Sequence, residues 1–140
     1  MIFQLSHDEA RRLLAEGTYA HLGCTVDDEP YVVPVNYVLD GDFIYLHSLP
    51  GRKLDGMRQS PRVCVQTEQI EGAYHWRSVQ AFGEYEEIAD DEQQELAFDI
   101  IYRRFPRLTP ADSVRRHGHL GEQSLVFRIR IDRISGVGEG

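Results

Sequence analysis

Short β-prone segments separated by turn residues recur along most of this chain, and this pattern is its strongest constraint on the fold. Apolar and β-branched residues concentrate in six segments, at residues 19–26, 31–39, 43–49, 63–67, 76–88 and 125–131. Residues 27–30 and Asp40-Gly41 are turn signals, so the first three segments are predicted to follow one another as an antiparallel meander. Sequential strands without a repeated strand–helix–strand unit favour a six-stranded antiparallel barrel over a doubly wound sheet.

Three stretches of the chain carry signals for helices. Ser6 followed three residues later by Glu9 is a capping box, which predicts a helix start. Residues 51–60 can form a short helix that ends before a proline, and residues 90–105 carry acidic residues at one end and basic residues at the other, as the helix dipole favours. We therefore expect a mainly β protein with flanking α-helices, in which residues 1–140 form a single domain.

Charge and cysteine content exclude several classes of function. The chain has 15 basic and 23 acidic residues, a net charge of -8, which argues against a nucleic-acid groove or an anionic membrane surface as a partner. Cys24 and Cys64 lie in apolar runs without a Cys-x-x-Cys pair, so neither a disulfide framework nor a zinc site is indicated. No apolar segment approaches the roughly 18 residues of a membrane span, so we expect a cytoplasmic protein.

The stretch from residue 42 to residue 53 contains the clearest candidate binding site, because an apolar strand is followed at once by a glycine-bearing, doubly basic turn. A turn that enters a helix at Gly51 offers backbone N–H groups, Ser48 adds a hydroxyl, and Arg52 and Lys53 add charge. Basic residues at a helix N-terminus oppose its dipole, and a bound phosphate would relieve that conflict. The alternative is that both basic side chains are simply solvated at a helix start. Neither a P-loop nor a dinucleotide-binding glycine motif is present.

The order of the motifs resembles that of a known family. The motifs are PYVVPVNYV at 30–38, DGDFIYLHS at 40–48, GRKL at 51–54, SPRVCV at 60–65 and WRSVQAFG at 76–83. Together they are similar to the pyridoxamine 5′-phosphate oxidase-like flavin-binding proteins, and within them to the branch that includes nitroimidazole-resistance proteins. This resemblance implies a split β-barrel of the FMN-binding type that forms a homodimer, with FMN lying in two grooves at the subunit interface.

The resemblance also implies which residues hold the cofactor. The residues around the ribityl phosphate are His47, Ser48, Arg52 and Lys53. Those along the flavin ring are Pro34, Val35 and Asn36. The fifth strand contributes Trp76 and Ser78, from either subunit. An ordinary structural role remains open for two of them: Trp76 as core or dimer packing, and His47 as a strand-end histidine satisfied by backbone. No catalytic side chain is expected, and His117-Gly118-His119 lacks the further ligands that a metal requires.

Two departures from the family limit the implied activity. The chain ends at Gly140 without the C-terminal extension of true pyridoxamine-phosphate oxidases, so oxidation of vitamin B6 is not expected. Asn36 stands where those oxidases carry a basic residue, which weakens the electrostatic hold on a flavin. The implied function is an FMN-dependent oxidoreductase that passes electrons from NAD(P)H or another donor to a small molecule. A non-enzymatic flavin- or haem-binding carrier or sensor is the alternative, and an interaction module without a cofactor is a third possibility.

Overall fold

The computed structural model describes residues 1–106 and 125–140. The elements in these ranges are β1 (Ile2–Gln4), α1 (His7–Glu16), β2 (Tyr19–Val26), β3 (Glu29–Asn36), β4 (Val38–Asp40), β5 (Phe43–Ser48), α2 (Arg52–Gln59), β6 (Arg62–Gly72), β7 (His75–Glu87), α3 (Asp91–Arg104) and β8 (Leu125–Glu139). The predicted mainly β architecture with flanking helices is confirmed. His117 and His119 lie outside the described residues. None of the helices within the described ranges is long and apolar enough to span a membrane.

The strands form one antiparallel sheet in the order β3-β2-β6-β7-β8-β5-β4, with β1 paired to β8. Long β8 joins the two halves of this sheet, because its residues 125–130 pair with β5 while its residues 127–139 run along β7. Within the described ranges the sheet has eight strands rather than the six predicted. The two additional strands, β1 and β4, have three residues each, too few to show an alternating pattern.

The predicted meander is wrong, because the segment 31–39 is two strands that lie at opposite ends of the sheet order. The break occurs at Tyr37, which is 1% exposed and donates its hydroxyl to the backbone oxygen of Leu14 at 2.5 Å. Burial raises the pKa of this phenol to about 12. The chain therefore passes through the core at Tyr37 and emerges to pair β4 with β5.

The last strand is longer than its predicted seven residues, and two glycines in the added part admit the N-terminal segment. A Cβ at Gly136 would lie 2.8 Å from Leu5 Cδ1, and one at Gly138 would lie 3.1 Å from Phe3 Cζ. Glycine and serine in the sequence 135–138 weaken the strand signal, but these residues pair with 77–80 of β7, and β1 pairs with residues 137–139. Pairing with β7 and β1, rather than local propensity, explains this part of β8.

The barrel interior holds the main core, to which both α1 and α2 contribute. Leu14 of α1, Leu54 and Met57 of α2, and Leu22 and Val65 of the sheet are each at most 1% exposed. The capping box predicted at Ser6 is confirmed, since its hydroxyl accepts from the backbone N–H of Glu9. Both helices therefore present apolar side chains to the same interior.

The outward side of the sheet divides into two halves. Helix α3 packs Phe98 and Ile101 against Tyr45 and Val126, and so covers β4, β5 and the first part of β8. We call the outward side of β3, β2, β6, β7 and residues 133–139 the open face. This face exposes four apolar side chains, Tyr19 (51%), Val32 (67%), Ile70 (67%) and Val137 (40%).

Candidate functional site

The connection from β5 to α2, residues 48–53, is called here the cationic bend. Among residues 1–106 and 125–140, no side chain caps α2 at Gly51, so its first backbone N–H groups have no capping partner there. Helix α2 packs tightly on β2, because a Cβ at Gly56 would lie only 2.7 Å from the backbone oxygen of Thr25. This contact places the bend beside the β2–β3 turn.

Arg52 and Lys53, adjacent in sequence, occupy different environments. Arg52 Nη2 lies 2.9 Å from Asp27 Oδ2, and both side chains are more than 70% exposed. Asp27 and Asp28 have φ angles of 52° and 62°, which identifies the two-residue β2–β3 connection as a type I′ turn. Arg52 is therefore solvated and already paired with a carboxylate.

Lys53 is half-buried beside Cys24, and burial lowers the pKa of its ammonium group. The same burial raises the pKa of the Cys24 thiol. Within residues 1–106 and 125–140, Lys53 forms no ion pair with a carboxylate. A partly desolvated cation next to an uncapped helix start is well suited to an anionic ligand, which would supply the missing countercharge.

His47 and Ser48 stand at the end of β5, where they pair with Val126 and Leu125 of β8. The Ser48 hydroxyl donates to the backbone oxygen of Leu49 at 2.9 Å, a local bond that an incoming ligand could replace. The structure thus brings Ser48, Arg52 and Lys53 into one bend, with His47 on the adjoining strand end. The phosphate-binding role of these four residues stays a prediction.

The ring-contacting residues predicted on β3 point to two different sides of the sheet. Pro34 and Asn36 are exposed, whereas Val35 is half-buried and packs against the barrel core. Asn36 Nδ2 donates to the backbone oxygen of Thr18 at 3.2 Å. Only Pro34 and Asn36 can therefore offer side chains to a ligand on the open face, and Val35 can offer its backbone.

Trp76 and Ser78 lie on the open face but away from the cationic bend. Trp76 pairs with Ile70, and Ser78 pairs with Glu68 across β6 and β7. Gly23, next to the Lys53 neighbour Cys24, is level with Cys64 on β6 and Phe82 on β7. Phe82 is four residues from Ser78, so Ser78 lies at least about 13 Å along the strand from the level of Lys53. A single chain does not bring these residues to the phosphate-binding residues.

A shallow depression of about 430 Å³ lies beside the β2–β3 turn, where β2, β3, β6 and β7 line it. Its lining includes Cys24, Tyr31, Val32, Cys64 and Phe82. Apolar and aromatic side chains of this kind form suitable walls for a planar heteroaromatic ring. Cys24 is part of this lining and neighbours Lys53, while its side chain is buried in the barrel core.

Sequence reasoning missed a polar cluster on the open face, formed by His21, Gln66 and Glu68. Gln66 Oε1 lies 3.2 Å from His21 Nδ1, and Gln66 Nε2 donates to Glu68 Oε1 at 2.8 Å and to Ser78 Oγ at 3.0 Å. The available signal was a histidine and a glutamine inside otherwise apolar strands. Their juxtaposition depends on the pairing of β2 with β6, which the sequence pattern did not reveal.

Comparisons with known proteins agree with this architecture. The chain matches the family model described as pyridoxamine 5′-phosphate oxidase over residues 6–137. It is 38% identical over 84 residues to an uncharacterized protein of Rhizobium meliloti (strain 1021), a match that spans 60% of this chain and only 56% of that protein.

Two solved structures have a similar fold. A protein of Mesorhizobium loti described as FAD-binding superposes with a TM-score of 0.80 at 30% identity, covering 100% of this chain and 99% of that one. A candidate 5-nitroimidazole antibiotic resistance protein of Bacteroides thetaiotaomicron gives 0.77 at 22% identity over 99% and 87% of the two chains. The predicted split-barrel class is confirmed, and the chain belongs to the pyridoxamine 5′-phosphate oxidase family.

Proposed function

We propose that this protein binds the flavin nucleotide FMN, with the phosphate at the cationic bend. The observation that carries the proposal is Lys53, a half-buried cation without a carboxylate partner among the described residues, at the start of a helix that no side chain caps. A phosphate there would pair with the ammonium group and accept from the free N–H groups of α2. Arg52 would join only by giving up part of its pairing with Asp27.

We place the flavin ring in the depression beside the β2–β3 turn. Tyr31, Val32 and Phe82 would provide its walls, and Pro34 stands on the same outward side of β3. The flavin would supply reversible electron and hydride chemistry, while the chain fixes its position and limits its contact with water. The description of the Mesorhizobium loti neighbour as FAD-binding supports a flavin.

We further propose that the protein is a homodimer and that the open face is its interface. Exposed apolar side chains spread over four strands of this face, and such surfaces in soluble proteins commonly mark contacts with a partner. A second copy seated here could bring its Trp76 and Ser78 to the ring held by the first chain, which one chain alone does not achieve. The groove between the copies would then complete the cofactor site.

The proposed reaction is electron transfer from NAD(P)H or another donor, through the flavin, to a small-molecule acceptor. The test begins with the absorption spectrum of the purified protein and the mass of the cofactor released from it, which separates FMN from FAD and haem. Titration of the apoprotein with FMN and NAD(P)H turnover with generic acceptors follow. Bound flavin that no donor reduces would favour the carrier or sensor alternative, and a colourless protein that leaves FMN fluorescence unchanged would refute flavin binding.

A further inference from the structure

Strand β8 carries opposite charges at the two ends of the open face. Arg133 pairs with Phe82 of β7 and Glu139 pairs with Trp76, without a register shift between the two pairs. The two charged side chains lie on the same side of the sheet, because they are an even number of residues apart, and about 20 Å separates them along the strand. The open face is therefore basic at Arg133 and acidic at Glu139.

Arg133 is held in place but has no countercharge. Its guanidinium carbon lies 4.1 Å from the centre of the Phe82 ring, a cation–π contact that keeps the side chain over the open face. Arg133 is exposed, and among residues 1–106 and 125–140 it forms no ion pair with a carboxylate. Arg62, by contrast, pairs with Asp132. Arg133 thus presents an uncompensated positive charge on the proposed interface.

The acidic end combines a carboxylate with apolar side chains. Ile70, which is 67% exposed, and Trp76 lie at the same level of the sheet as Glu139. Glu139 Oε2 lies 3.7 Å from the terminal ammonium group of Met1, which is too far for a hydrogen bond. The Glu139 carboxylate can therefore accept hydrogen bonds from a cation of a second molecule.

The basic end has a matching composition on the same three strands. One level of β6, β7 and β8 carries Cys64, Phe82 and Arg133, and the level six residues away carries Ile70, Trp76 and Glu139. Apolar residues on β6 and β7 and a charge on β8 thus recur at both levels, and only the sign of the charge differs. Two copies that face one another with these levels exchanged would match apolar surface with apolar surface and cation with carboxylate.

A two-fold axis that lies between the facing sheets and runs across the strands produces this exchange. Placed at the level of Val79, the axis sets Glu139 of one copy opposite Arg133 of the other, and the symmetry repeats the contact. An axis parallel to the strands would instead set each level against itself. Among the described residues the level of Arg133 otherwise holds Val32, Gly23, Cys64 and Phe82, so Arg133 would then meet no carboxylate.

We propose that Arg133 and Glu139 align two copies of this chain, each Arg133 pairing with the Glu139 of the other copy across the two open faces. This inference rests on the proposed homodimer. Facing sheets pack about 10 Å apart, a gap that an arginine and a glutamate side chain together can span. Aligned sheets cross at about 30°, which displaces residues 10 Å from the axis sideways by about 5 Å, within the reach of an arginine.

The test uses two full-length variants, Arg133→Glu and Glu139→Arg, with the mass in solution measured by sedimentation over a range of concentrations. Each variant alone sets like charges opposite one another at both symmetric contacts, so its dimer dissociation constant should rise at least about tenfold. An equimolar mixture should form heterodimers with about the wild-type affinity, because both contacts then join opposite charges. Contacts within one chain would give no such recovery on mixing.

Arg103→Glu is the matched control, because it makes the same change of charge at an exposed position of α3, away from the open face. This variant should leave the dimer unchanged, and thermal unfolding checks that all three variants are folded. A dimer that Val137→Glu dissociates but the two charge variants do not, or variants that fail to recover on mixing, would refute the pairing and leave the homodimer standing. A wild-type protein that is monomeric at every concentration would refute both.

Discussion

Replacing Lys53 by methionine tests the central feature of the proposed site, because it removes the half-buried cation and keeps most of the side chain's apolar length. A hydrogen bond to a charged group contributes about 1.5–3 kcal/mol, which corresponds to about a 10- to 150-fold change in Kd. Lys53 should fall in this range, since it has no competing carboxylate among the described residues and is partly shielded from solvent. Lys53→Met is therefore expected to weaken FMN binding by at least about tenfold.

Arg52→Met is the matched control for this prediction. Arg52 is 74% exposed and already 2.9 Å from Asp27, and exposed ion pairs contribute about 0–1 kcal/mol. We therefore expect its loss to weaken FMN binding by less than about fivefold. Although the two cations are neighbours in sequence, the structure predicts that their contributions differ by several-fold.

Fluorescence titration with FMN and with riboflavin at constant ionic strength measures both effects. Riboflavin lacks the phosphate, so neither variant should change its affinity. Thermal unfolding checks the fold, and Lys53→Met should be at least as stable as the wild-type protein, because burial disfavours the ammonium group in the folded state. Equal losses for the two variants, or a parallel loss of riboflavin binding, would refute this account of the bend.

Three further predictions follow from the same structure. Because burial lowers the pKa of Lys53 from 10.5, raising the pH should remove the ammonium proton and weaken FMN binding, starting at a pH below 10.5, while riboflavin affinity does not change. Over the same pH range the free energy of unfolding of the apoprotein should rise with pH, since the unfolded chain holds the proton more tightly. Gly56→Ala should force α2 away from β2, cost about 1–3 kcal/mol in urea unfolding and weaken FMN binding, whereas Gly72→Ala, with nothing within 4 Å, should do neither. Val137→Glu should dissociate the proposed dimer in light-scattering measurements, and Leu96→Glu, 55% exposed on α3, should not; a dimer unaffected by Val137→Glu would place the interface elsewhere.

Local sequence was sufficient to predict the helices and the composition of the bend. The capping box at Ser6 and the cap of α3 at Asp90, whose side chain accepts from the N–H of Gln93, act within three residues. Periodicity and turn residues likewise revealed the segments that became β2, β5 and β7, because these signals are read over a few neighbouring residues. The succession Gly51-Arg52-Lys53 indicated an anion site for the same reason.

Only the tertiary structure decided how these pieces meet. Burial of Tyr37 against α1 separates β3 from β4, and Asp27 across the β2–β3 turn distinguishes Arg52 from Lys53. The contact between His21 and Gln66 joins residues 45 positions apart. Such contacts depend on strand register and on the order of strands in the sheet, which arise from packing of the whole barrel and leave no short-range signal in the sequence.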